Sequence, residues 1–154
     1  MNKKMKLSSA IGGGIAGAIT LTLIHETVRK SITDAPRMDL LGMEAIAKTL
    51  DSADAEIPEE DKLFKITMAG DIISNSLYYS VAGIGKGEQA ILRGALLGLA
   101  AGVGAVYLPK PLGLNAAPAG RTLQTKIMTF ALYTIGGVVA GVIAQLIEDK
   151  RHVL

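Results

Sequence analysis

The side chains best suited to chemistry are few, and most sit in apolar surroundings. Thr67, Asp71, Ser74, Asn75 and Tyr78 recur at steps of three and four, so a helix would gather them on one face, with Tyr79 at its border. A carboxyl group among amide and hydroxyl groups can bind an ion, exchange a proton or hold a polar headgroup. Asp71 is the centre of this set, with Ser74, Asn75 and Tyr78 beside it and His25 or Arg93 as partners from other segments. A second stripe, Thr129, Tyr133, Gly137, Gly141 and Gln145, advances by fours and adds Tyr133 and Gln145 to the polar candidates. Thr22, His25, Glu26 and Arg29 form a third group, with Thr22/Glu26 and His25/Arg29 one helical turn apart.

Other motifs lead to plainer structure. His25-Glu26 opens like a zinc-binding HExxH helix, but position 29 is Arg, so no metal is expected. The run Gly83-Ile84-Gly85-Lys86-Gly87 lacks the spacing and the Ser/Thr of a phosphate loop and reads as a flexible turn. Pro58-Glu59-Glu60-Asp61 lacks the alternating ligands of a calcium loop. It reads as a helix start, because acidic groups are stabilised near the positive end of the helix dipole. No cofactor is expected.

The elements that must carry these groups follow from where the charges fall. Segments 7–24, 66–85, 89–109 and 127–147 hold 80 residues and only two charged side chains, Asp71 and Arg93, whereas 30–65 holds 14 in 36 residues. A helix needs about 20 mostly apolar residues to span a bilayer, and each segment is near that length. A soluble bundle would require a polar face on each helix, and such faces are missing. The expectation is an all-α, integral membrane four-helix bundle, one domain over 1–154, with spans near 7–28, 66–85, 89–109 and 127–147, in a bacterial cytoplasmic (inner) membrane. The first apolar run resembles a signal peptide with Ala16-Gly17-Ala18 as a cleavage site. It continues through Ile24, however, and reads as a retained helix. Seven basic residues flank one side of such a bundle and nine the other, so the positive-inside rule assigns no orientation.

The composition agrees. The chain has 154 residues, 16 Lys+Arg against 14 Asp+Glu, no Cys and 18 Gly. Near-neutrality gives no electrostatic footprint for nucleic acid, and the lack of Cys excludes a disulfide scaffold. In the first connection, Asp34 is expected to cap an amphipathic helix near 36–50, lying on the membrane surface or over the bundle mouth. Its Met38, Leu41, Ala45, Ile46 and Leu50 form the apolar face, while Asp39, Glu44 and Lys48 lie elsewhere and Glu44/Lys48 pair. Segment 108–125, with Pro109, Pro111 and Pro118, is expected to be an extended loop. Gly13/Gly17, Gly94/Gly98/Gly102 and Gly137/Gly141 make small-residue ridges for close helix packing, within one subunit or between copies.

These observations favour transport or permeation of an ion or small solute through a polar intramembrane site. One alternative is an assembly subunit that packs through glycine ridges; another is an intramembrane lipid-modifying enzyme, with Asp71 or Glu26 as base. The expected partners are the bilayer and a homo-oligomer or other membrane helices.

Overall fold

A computed structural model describes residues 3–152, with side chains from 7 to 150, and among these residues it contains helices and turns but no strand. The side chains of Lys3, Lys4, Lys6 and Arg151, four of the flanking cations, lie outside the described set. The helices are α1 (Lys3–Ser31), α2 (Met38–Ser52), α3 (Glu60–Ser80), α4 (Ala90–Tyr107), α5 (Ala117–Gly120) and α6 (Leu123–His152). Two 3₁₀ turns, Val81–Gly83 and Gly87–Gln89, join α3 to α4, with Gly85 between them at φ 108°, a left-handed value that suits glycine.

Three stretches are long and apolar enough to cross a membrane: Leu7–Ser31, Gly87–Tyr107 and Leu123–Lys150. The fourth expected stretch lies on α3, whose 21 residues include Lys62, Lys65 and Asp71 together with Ser74, Asn75 and two tyrosines. The burial pattern is inside-out relative to a protein in water. Ala10, Ala18, Ala140 and Ala144 are buried, whereas Ile11, Ile15, Ile19 and Leu23 on α1 and Leu92, Leu96, Leu99 and Val103 on α4 face outwards. Contiguous apolar faces of this kind suit hydrocarbon and are a liability in water.

The long helices run antiparallel in a curled row, α3–α1–α6–α4. α6 packs closely on α1 and α4, and α3 packs on α1 but barely touches α4. Glycine permits the tight steps. A Cβ on Gly17 would lie 2.6 Å from the Gly136 carbonyl oxygen, and one on Gly13 would lie 2.9 Å from the Ala144 Cβ. Gly94 and Gly137 face each other so closely that a Cβ on either would strike the other's carbonyl group; Gly98, Gly102 and Gly141 also lie against backbone of the α4–α6 pair. The ridges read from the sequence therefore lie against neighbouring helices of the same chain.

α2 folds over one end of the bundle, against α3 and α5, rather than standing apart on a surface. Its start corrects the expected cap: Arg37 holds the N-cap position, and Asp34 instead accepts from Arg121 Nη2 at 2.8 Å. Asp39, expected on the surface, is buried. Glu44 and Lys48 do not pair with each other. Glu44 accepts the Asn115 backbone N–H at 3.0 Å, and Lys48 Nζ donates to the carbonyls of Leu112 and Gly113. The loop after α4 is likewise not wholly extended. It contains the single turn α5, with Pro118 at its start, where a missing N–H is tolerated.

Gly137→Ala should lower resistance to unfolding by about 1–3 kcal/mol, because the added methyl meets backbone rather than a movable side chain. Gly70→Ala, where a Cβ would meet nothing within 4 Å, should not destabilise the fold. Detergent-titrated unfolding of both variants checks the contrast.

Candidate functional site around Asp71

Because α3 and α4 scarcely meet, a gap remains between them, and Asp71 lies beside it. The gap is a cleft of about 510 Å³ bordered by Asp71 and Tyr78 of α3, Ala101 and Gly104 of α4, Leu41 of α2 and Tyr133 of α6. Small residues on this stretch of α4 leave the space open. Two tyrosines border it: Tyr78, whose Oη donates to the Leu97 carbonyl at 2.9 Å, and Tyr133, whose carbonyl accepts from Tyr79 Oη at 2.8 Å. Tyr79 is 0% exposed and seals the bundle beyond the cleft, together with Ala82. Asn75 is buried one turn along from Asp71.

Asp71 also borders a second, much smaller cavity, of about 10 Å³, between α1, α2 and α3. Its polar lining comprises Thr22, His25 and Glu26 of α1, Asp39 of α2, and Thr67 and Asp71 of α3. Thr22 Oγ1 and Thr67 Oγ1 are buried there without a hydrogen-bond partner. Close approach of α2 closes this cavity, since a Cβ on Gly42 would lie 2.6 Å from Thr67 Cγ2.

A charged cluster continues outwards from the small cavity. Arg29 donates to both oxygens of Glu26 at 2.6 Å, and Arg37 donates to both oxygens of Asp39, at 2.9 Å from Nε and 2.7 Å from Nη2. Arg29 Nη1 reaches Asp39 at 3.9 Å, so two arginines serve this one buried carboxylate. Burial resists ionisation of Asp39, but the Arg37 hydrogen bonds and the charges of Arg37 and Arg29 outweigh it and hold the carboxyl below its ordinary value. The same hydrogen bonds push the Arg37 guanidinium up, against the opposing effect of its own burial. Among the described residues, no salt bridge reaches Asp71.

The sequence candidates divide accordingly. Asp71, His25 and Glu26 line one cavity, and Asp71, Tyr78 and Tyr133 line the other. Asn75 adjoins Asp71 on α3. Ser74 points elsewhere: it is exposed, and its hydroxyl donates to the Gly70 carbonyl at 2.8 Å. Arg93 works at the opposite end, where Nη2 donates to the carbonyls of Ala82 and Lys86 and ties the α3–α4 turn together. Gln145 borders neither cavity. Sequence reasoning placed Asp39 on a surface, and it named Thr22 and Thr67 in separate groups without bringing them to one cavity. The Arg37-x-Asp39 spacing was the available signal for the first. A third depression, of about 450 Å³, lies at the α2 end against Arg29, Lys30, Arg37 and Arg121, but its three arginines already hold carboxylates. Among the described residues, no group of three or more His, Cys, Asp or Glu could hold a metal ion.

No protein-family model, curated protein or solved structure matches the chain.

Because its folded pKa is depressed, Asp39 contributes stability that is present above its unfolded pKa, near 3.9, and is lost as pH falls through the lower folded value. The melting temperature should therefore hold between about pH 7 and pH 5 and fall below about pH 4. That acid limb should shrink in Asp39→Asn. Arg37→Gln at neutral pH should cost about 1.5–3 kcal/mol by stripping charged hydrogen bonds from a buried carboxylate. Thermal melts across pH check both.

Proposed function

We propose that the chain is a four-span protein, with α1, α3, α4 and α6 crossing a bacterial cytoplasmic membrane, that moves an ion or small solute by way of Asp71. The observation carrying this reading is that Asp71 borders both the lateral cleft and the small polar cavity, with no cation paired to it among the described residues. Asn75 hydrogen-bonds Asp71, but a carboxylate without a counter-charge at such a depth is costly, so its charge changes with what occupies the site. The cleft gives access from the lipid side, and the cavity leads towards the charged end under α2. Beyond Asp71 the bundle is closed by Tyr79 and Ala82, so passage requires a rearrangement rather than an open pore. The sparse α3–α4 boundary is where such a rearrangement would meet least resistance.

The assembly reading draws less support, since the glycine ridges it relied on lie against helices of the same chain. Catalysis draws less still, because among the described residues the side chain of Asp71 is hydrogen-bonded to Asn75 and to no hydroxyl group.

Purified protein in liposomes, with proton, Na⁺ or K⁺ gradients imposed in turn, tests the proposal. At least one flux should exceed that of protein-free vesicles, and Asp71→Asn should reduce it about tenfold or more. Wild-type vesicles no leakier than empty ones to all three ions, or Asp71→Asn equal to wild type, would overturn it.

A further inference from the structure

The small cavity between α1, α2 and α3 contains an anomaly in how this chain uses helical hydroxyls. Thr27, Ser31, Thr49, Ser74, Thr129 and Thr134 all donate to the carbonyl four residues earlier, as threonine and serine in helices commonly do. Thr22 and Thr67 sit on helices too, yet their hydroxyls do not bond back; both are buried, and both residues line this cavity. Thr67 is only 4% exposed, so bulk water does not satisfy its hydroxyl. A buried hydroxyl without a partner is costly, and two converging from different helices call for a shared one. The volume of about 10 Å³ is close to what a single water molecule requires, and the polar lining offers it several hydrogen-bonding groups.

We propose that this cavity holds one ordered water molecule, bound by Thr22 and Thr67, through which a proton passes between Asp71 and His25. In the forward step the Asp71 carboxyl O–H breaks as its proton joins the water oxygen. One O–H of that water breaks as its proton joins an imidazole nitrogen of His25. The products are a carboxylate, an imidazolium and the same water, so no other reactant is needed. Glu26 and Arg29 from α1, Asp39 from α2 and the backbone of Pro36 face His25, while Asn75 and Tyr79 from α3 and Tyr133 from α6 face Asp71. The transfer rests on reading Asp71 as the working group. The water site does not.

Isosteric substitution gives a test of opposite sign. If the cavity is dry, Thr67→Val removes an unsatisfied hydroxyl and raises the melting temperature or leaves it unchanged, which overturns the proposal. If water is bound, Thr67→Val and Thr22→Val each lower the melting temperature by about 2–4 °C. The double variant then falls little further, because both hydroxyls hold the same molecule. Thr67→Ser, which keeps the hydroxyl, should restore most of the loss. A rise in wild-type melting temperature in sodium chloride over choline chloride, abolished by Thr67→Val, would replace the water with a cation and overturn the proposal. The transfer is read from deuterium exchange of the Asp71 carboxyl band in infrared spectra, the band being the one lost in Asp71→Asn. His25→Gln should slow that exchange about tenfold, and an unchanged rate would overturn the transfer. None of these readouts is flux, so a failed transport assay beside a surviving Thr67→Val effect would reject the function and retain the water site.

Discussion

The constraint on which the rest of the structure depends is the backbone-to-backbone approach of α6 to its two neighbours. Gly136 and Ala140 let α1 close on one side of α6, and Gly137 and Gly141 let α4 close on the other. Packing of this kind replaces the hydrophobic drive that a lipid surround removes, since hydrocarbon is as apolar as leucine. It also fixes the shape of the bundle. With α1 and α4 held on opposite sides of α6, and α3 held on the far side of α1, the row cannot close fully, and the α3–α4 boundary is left thin. The cleft beside Asp71 is thus a consequence of the glycine contacts, not a separate device.

The charged end under α2 sets what can approach Asp71 from that side. Arg37 binds Asp39 through its guanidinium and the Pro118 carbonyl through its backbone N–H at 2.8 Å, so one residue ties α2 to the segment before α6. Thr125 Oγ1 donates to the Asp34 carbonyl at 2.9 Å, and Glu44 and Lys48 hold the loop after α4. The covering helix is therefore fastened at both ends to loops of the bundle. It closes the small cavity over Thr67 and, through Met38, Leu41, Gly42 and Ala45, forms one wall of the cleft beside Asp71.

How much of this was legible depended on whether the signal was local. The segregation of charge marked the helical segments, and the bounds expected for the first, third and fourth agree closely with the stretches capable of crossing a membrane. The four-residue glycine spacing marked which helix faces would approach closely. Spacing identifies a face, however, and not the neighbour that covers it. Asp39 looked like part of a polar surface because Arg29, on another helix, and the cover of α2 itself cannot be inferred from its own segment. Glu44 and Lys48 looked like a helical pair, but each finds a loop about seventy residues away in the chain. Arg93 was expected to partner Asp71, yet it donates to the carbonyls of Ala82 and Lys86 in the turn between α3 and α4. For Glu44 and Lys48 a long-range partner displaced the local one, whereas for Arg93 a nearby turn displaced a more distant partner.

The claim that a single carboxyl group stands at an opening on the lipid side can be examined by covalent labelling in the membrane. An apolar carbodiimide, which partitions into hydrocarbon and adds to protonated carboxyl groups, is applied to the protein in liposomes, and the modified peptide is located by mass spectrometry. An adduct is expected at Asp71, absent from Asp71→Asn and not produced by a charged, water-soluble carbodiimide. An Asp71 left unmodified while carboxyl groups in the 51–61 connection react would contradict it.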